Sequence, residues 1–295
     1  MTRGVVLSVL SSVLFAVLYY YTTLLHPLDG AEIFAWRILL CLPAVAVLLA
    51  RSRGWKEVAQ VFRRLRHEWR LWLLLPLSSA LIGAQLWLFV WAPLHQRAMD
   101  VSMGYFLLPL VMVLIGRVLY QEKLNRLQTA AVFVAALGVA HELMRTGTFS
   151  WVTALVMFGY PPYFIVRRKL RMGSLSTLWF DMMLMVPAAL LILGGQDLGV
   201  IEQFRQRPAL LGLVPVLGVI SSAALIAYLT ASRYLPLGLF GLLGYVEPVL
   251  LFWVALLFLS EEVPAAAWLT YVPIWMAVAL VAVDGMKRVR PRKRV

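Results

Sequence analysis

Ten times along this chain an apolar run close to the length of a membrane span gives way to a short charged or turn-forming stretch. The runs fall near 4–25, 31–50, 70–92, 101–120, 127–144, 150–166, 174–194, 208–229, 236–258 and 264–284. About 20 apolar residues cross a hydrocarbon layer as a helix. In lipid an open-ended segment must satisfy its own backbone amides, which a helix does. The pattern predicts an all-α integral membrane protein with ten transmembrane helices. One interval departs from it. Between Arg51 and Arg70, Trp55, Val58, Val61, Phe62, Leu65 and Trp69 alternate with basic residues, the signature of an amphipathic helix lying on an anionic leaflet.

The apolar pattern also repeats. Gly104 to Glu122, GYFLLPLVMVLIGRVLYQE, has an echo at Leu243 to Glu261, LGYVEPVLLFWVALLFLSE. Pro109 and Pro248, Glu122 and Glu261, and Pro76 and Pro215 are each 139 residues apart. Two copies of five spans are therefore expected, 1–146 and 147–295, the second carrying the basic tail. Five is odd, so the second copy enters the membrane upside down. Inverted repeats are a recurring plan of secondary transporters, with the substrate held near the midplane between the halves. With the N-terminus placed in the cytoplasm, 21 of the Lys and Arg residues fall on that side and 4 (Arg97, Arg145, Arg205 and Arg207) on the other. This asymmetry places both termini in the cytoplasm.

Composition narrows the class. A chain 62% hydrophobic and 14% charged, with a mean hydropathy of +0.84, lies outside the soluble range. Its net charge of +13 is accounted for by the cytoplasmic flanks, so nucleic acid is not an expected partner. The first apolar run lacks a small-residue cleavage site and is read as a retained helix. Cys41 is the only cysteine, which excludes an intrachain disulfide. His26, His67, His95 and His141 are scattered without metal-ligand spacing, and no nucleophile-elbow, phosphate-loop or dinucleotide motif is present. No enzyme activity, catalytic residue, metal or cofactor is expected.

Charges inside spans are costly, so each is a functional candidate. Arg37 lies roughly 9 Å inside the second span at 1.5 Å per residue, and Asp181 lies at a comparable depth in the seventh. Each precedes a proline by six positions, Pro43 and Pro187. Equivalent positions in inverted repeats sit at opposite depths, which disfavours a direct ion pair. Arg37 is read as a binder of a substrate anion or carbonyl, or as a structural partner of Glu32 or of helix carbonyls. Glu247, beside Pro248 and in the middle of the ninth span, is the leading proton-coupling candidate and a substrate contact, with Asp181 second. The alternative for Glu247 is a hydrogen bond to Tyr105 or Tyr245 with no part in turnover. Trp36, Trp91, Trp179, Tyr105 and Tyr245 are candidates for an adaptable pocket wall. Glu32, Glu122, Glu261, Pro109 and Pro248 are assigned to gating or to fixing helix ends. The hairpin His95 to Asp100 concentrates polar groups at the external mouth, either to screen a solute or as an ordinary solvated loop.

Several of these stretches resemble a known family. EIFAWR at Glu32 to Arg37, SMGYFLLPL at Ser102 to Leu110, YLPLGLFGLLGYVEP at Tyr234 to Pro248, the glutamates after the fourth and ninth spans, and the segment from Asp181 to Pro187 resemble the EamA group of the drug/metabolite transporter superfamily, in its RarD-like branch. The resemblance covers nearly the whole chain. It implies ten helices, cytoplasmic termini, and export of small metabolites, amino acids or amphipathic drugs across the bacterial inner membrane. Three departures point away from a standard substrate: Trp36 replaces a histidine, Leu94 and Leu108 replace asparagines, and Glu247 stands where the branch is small or apolar. A carboxylate-rich metallophore would suit a pocket containing Arg37. The expectation is a proton-coupled exporter working by alternating access, in contact with its solute and the lipid bilayer, as a monomer or a homodimer. A passive channel and a transporter-fold sensor are the alternatives.

Overall fold

The lipid-imposed demand for internal hydrogen bonding is met by helices throughout. The structure, a computed structural model, describes residues 2–119, 121, 125–195, 199–235, 240 and 243–289, and no strand occurs among them. The helices are α1 (Thr2–Tyr21), α2 (Gly30–Arg51), α3 (Trp55–Leu65), α4 (Trp69–Trp91), α5 (Ala98–Leu119), α6 (Arg126–Thr146), α7 (Trp151–Leu170), α8 (Ser174–Gly194), α9 (Val200–Gln206), α10 (Leu210–Tyr234), α11 (Val246–Phe258) and α12 (Trp268–Val289).

Among the described residues, 7 helical segments are long and apolar enough to cross a membrane: those built on α1, α2, α4, α5, α6, α8 and α10. The described parts of the other three expected spans are mainly helical. The last turn of α7 is Arg167, Arg168 and Lys169. The described helix of the ninth span, α11, has only 13 residues, roughly 20 Å at 1.5 Å per residue. It starts at Val246, preceded by a turn at Gly244 and Tyr245, so Glu247 stands in its first turn rather than deep within a helix. Pro248 explains the start: within the first turn a missing amide hydrogen removes no intrahelical bond. The linker helix expected between Arg51 and Arg70 is α3, with Val58 and Val61 buried. The short helix α9 was not anticipated.

Helix boundaries follow local chemistry. Asp29 and Glu32 form a capping box at the start of α2, and Asn125 and Gln128 form another at α6. Gly147 closes α6 at φ 70°, a left-handed conformation that suits glycine. Gln121 and Ser260, themselves 139 residues apart, both adopt left-handed backbone, at φ 56° and 55°.

The chain divides into two compact units. One holds the described residues of Met1–Ala16, Gln96–Pro161 and Ala227–Val295; there α6 packs on α12, and α5 on α11 and α12. The other holds Val17–His95 and Pro162–Ile226; there α2 packs on α8, and α4 on both α2 and α8. The pairs α2–α8, α5–α11 and α6–α12 each join a helix from the first half of the sequence to one from the second.

Glycines mark the closest approaches. A Cβ on Gly104 of α5 would lie 2.5 Å from the Val156 side chain and 3.1 Å from the Thr153 carbonyl, whereas one on Gly194 would meet nothing within 4 Å. Gly104→Ala is expected to cost about 1–3 kcal/mol by overpacking, and Gly194→Ala to stay within about 0.5 kcal/mol of the parent. Thermal unfolding of the purified protein in detergent separates the two.

Candidate functional site

In the unit containing α2, α4 and α8, polar groups gather at two depths. At the start of α2, Glu32 is 2% exposed and fully engaged. The Asp29 amide donates to its Oε2 at 2.8 Å, and Gln203 Nε2 donates to its Oε1 at 2.5 Å. Glu32 thus fixes a helix end, and α9 is the element that supplies its second partner. About 7.5 Å further along at 1.5 Å per residue, the guanidinium of Arg37 lies 5.6 Å from the centre of the Phe89 ring, a cation–π arrangement. Trp36 packs against Phe204, with ring centroids 5.9 Å apart.

Asp181 is completely buried on α8. Tyr163, on α7, donates its hydroxyl to Asp181 Oδ2 at 3.1 Å. Arg167, one turn later on the same helix, donates to the Tyr163 oxygen at 3.3 Å and lies over the Tyr163 ring. Because Arg167 donates to that oxygen, the single phenolic hydrogen of Tyr163 is directed at the carboxyl. Ser79 Oγ donates to the Asp181 backbone carbonyl at 2.8 Å. Asp181 Oδ1 and the Ser78 hydroxyl are both buried, and Ser78 acts on the Asp181 carboxyl although neither atom makes a hydrogen bond of standard geometry. Among the described residues no ion pair joins Arg37 to Asp181.

The aromatic candidates in this unit scatter along its helices. Trp91 stacks on His95 with ring centroids 4.0 Å apart and abuts the start of α2 at Gly30. Trp179 packs against Trp55 of α3, 5.3 Å away. The same α3 clasps the turn before α8: the Glu57 carboxylate accepts from the Gly173 amide at 2.5 Å and from the Ser176 hydroxyl at 2.6 Å. Trp91 and Trp179 therefore lie toward opposite ends of α2.

The other unit gathers Glu247, Pro248, Tyr245 and Tyr105. Ser102 Oγ donates to the Pro248 carbonyl at 2.8 Å, tying α5 to the first turn of α11. The hydroxyls of Tyr105 and Tyr160 are 2.9 Å apart. Glu247 is half-buried at the start of α11, where the helix dipole favours an anion. The helix α5 runs through Pro109. Glu122 lies outside the described residues. Glu261 caps a helix other than its own: the amides of Ala98 and Met99, at the start of α5, donate to its two oxygens at 2.6 and 2.9 Å. Burial pushes its carboxyl above the usual carboxylate range, opposed by those two amide bonds.

Four residues of the Asp181 network, Ser78, Ser79, Tyr163 and Arg167, escaped the sequence reading. Two signals for them existed. Tyr163 and Arg167 are spaced i, i+4, which places them on one helix face, and Ser78–Ser79 is a polar pair inside an apolar span.

No family model matches the chain. It is 45% identical over 296 residues to the chloramphenicol-sensitive protein RarD of Pseudomonas aeruginosa, covering 99% of this chain and 97% of that one. An uncharacterized transporter of Haemophilus influenzae is 34% identical, with 98% of this chain and 97% of the relative covered. The protein RarD of Salmonella typhimurium is 27% identical over 96% of each chain. A solved crystal structure shares the fold with a TM-score of 0.55 at 16% identity, covering 98% of this chain and 99% of its own.

Removing the Glu32 carboxylate strands both the Asp29 amide and the Gln203 amide group. Glu32→Ala is therefore expected to lower stability by about 1–3 kcal/mol. Glu202→Ala, which loses only an exposed 3.8 Å contact with Arg205, should change it by less than about 0.5 kcal/mol. Denaturant or thermal melts of both variants check this.

Proposed function

Because the chain belongs to the RarD-like branch of the drug/metabolite transporter superfamily, we propose that it is an inner-membrane secondary transporter exporting small polar or amphipathic solutes by alternating access. Several of its relatives are named as uncharacterized transporters, and this chain is a multi-pass membrane protein. The finer reading has ten spans as two inverted five-helix repeats, 1–146 and 147–295, with both termini cytoplasmic. Its main support is the pairing of α2 with α8, α5 with α11 and α6 with α12, each helix against its sequence counterpart. The matched left-handed residues Gln121 and Ser260 add to it.

Coupling to protons is assigned first to Asp181 and second to Glu247. A completely buried carboxyl with one oxygen held by Tyr163 and the other beside only the Ser78 hydroxyl has a defined place for a proton, Oδ1. Carriage of that proton would remove a buried negative charge, a large change in solvation free energy to link to helix movement. Glu247, at a helix start that favours the anion, suits a contact with a solute cation better. Arg37 over Phe89 remains the candidate for a solute carboxylate, whether of an amino-acid-like compound or a metallophore. The name of the Pseudomonas relative makes chloramphenicol a first solute to test.

Proteoliposomes carrying the whole chain provide the test. An imposed pH gradient should drive saturable solute movement, and Asp181→Asn should abolish the gradient dependence while leaving solute-for-solute exchange. Gradient-driven flux unchanged in Asp181→Asn would remove Asp181 from the mechanism and leave Glu247→Gln as the next variant. Conductance at channel rates would replace the carrier by a pore.

A further inference from the structure

An amphipathic helix on a membrane ordinarily turns its apolar face to the lipid, but α3 puts that face to another use. Val58 and Val61 are 2% and 1% exposed, and α3 packs on α4 and α8. Trp55 and Phe62 rest on the consecutive rings of Trp179 and Phe180, with centroids 5.3 Å apart in both pairs. The opposite side of α3 faces outward. At 3.6 residues per turn, Lys56, Ala59, Gln60 and Arg63 share it, and all four are exposed. Lys56 and Arg63 stand two turns apart in one row, separated by about 10.5 Å at 1.5 Å per residue. An aromatic edge borders the row: Trp55 and Phe62, also two turns apart, remain 41% and 52% exposed.

The charge of this row is unopposed. Arg51–Arg70 and Arg167–Ser176, brought together at one end of the unit, carry eleven Lys and Arg and two carboxylates, Glu57 and Glu68. Both carboxylates are engaged. Glu57 holds the Gly173 amide and the Ser176 hydroxyl, and Glu68 accepts two bonds from Arg64, at 2.9 and 3.0 Å. Arg64 also donates to the Leu170 carbonyl at 3.1 Å, which directs it toward the end of α7. Lys56 and Arg63, in contrast, make no ion pair among the described residues. The occupant follows from where α3 lies. It joins α2 to α4, both long and apolar enough to cross a membrane, and so sits at the level of the lipid headgroups. There basic side chains attract anionic lipids, and aromatic rings settle at the boundary with the acyl chains.

We propose that the outer face of α3 is a binding site for an anionic phospholipid, its phosphate held by Lys56 and Arg63 and its chains passing along Trp55 and Phe62. The site lies within a single unit and stands whether or not the chain moves a solute.

Native mass spectrometry of the purified full-length chain in nonionic detergent, titrated with dioctanoyl lipids, tests this. Phosphatidylglycerol should bind at least about tenfold more tightly than phosphatidylcholine. The double variant Lys56→Gln/Arg63→Gln should lose at least about tenfold in phosphatidylglycerol affinity, the combined scale of two basic residues at an anionic surface. Its phosphatidylcholine affinity and unfolding temperature should stay at the parental values. Arg205→Gln removes an exposed guanidinium near the other end of α2 and should bind both lipids as the parent does. Glycerol phosphate, a headgroup without chains, should not bind measurably. Equal affinity for the two lipids, or parental affinity in the double variant, overturns the site. A comparable loss in Arg205→Gln would reduce the binding to net charge, and glycerol phosphate bound as tightly as the lipid would mark a site for free phosphate; either result overturns the lipid assignment.

Discussion

The constraint from which this fold follows is that lipid offers no hydrogen-bond partner, so each polar group must find one inside the protein. Within a helix the backbone settles its own account; at a helix start four amides are left over. This chain meets that need with carboxylates brought from outside the helix as well as from its own edge. Glu32 completes the capping box of α2 and is itself held by Gln203. Glu57, on the linker helix, receives the Gly173 amide and the Ser176 hydroxyl at the start of α8. Glu261, after α11, receives two amides of α5. In each case an anion meets the positive end of a helix dipole, which stabilises both. These glutamates fasten helices to one another at their ends, where packing alone would leave the chain free to slide.

Between the ends, the few polar side chains are treated differently. Most are satisfied locally, as Ser11 Oγ is by the Ser8 carbonyl three residues back. Asp181 draws on two other helices, with Tyr163 on one of its oxygens, Ser79 on its backbone carbonyl and its second oxygen beside Ser78. A buried group that is half satisfied costs stability, and such costs concentrate where a protein has work to do.

Each tightly packed pair, α2–α8, α5–α11 and α6–α12, sets one half of the sequence against the other, so neither half is a compact body by itself. The compact units instead mix segments of both. Counterpart positions need not keep the same chemistry: Arg37 and Asp181 precede equivalent prolines, yet one lies over an aromatic ring and the other in a hydroxyl network.

The linear chain determined what depends on neighbours in sequence. Apolar runs set the helices because the lipid constraint acts on each segment separately; thus α8 begins and ends where the pattern placed it. The Arg51–Arg70 alternation marked α3. Pro248 carried a signal for the late start of α11, one that the continuous apolar run around it obscured. Partnerships across the chain were decided by the tertiary structure. The grip of Glu261 on Ala98 spans 163 residues and that of Glu57 on Gly173 spans 116, and no local pattern encodes which helix start a loop carboxylate will reach. Tyr163 and Arg167 looked like an ordinary helix end until packing of α7 beside α8 turned them toward Asp181. Periodicity is a property of one segment, whereas a hydrogen-bonded site is a property of several segments whose approach is set by the packing of all of them.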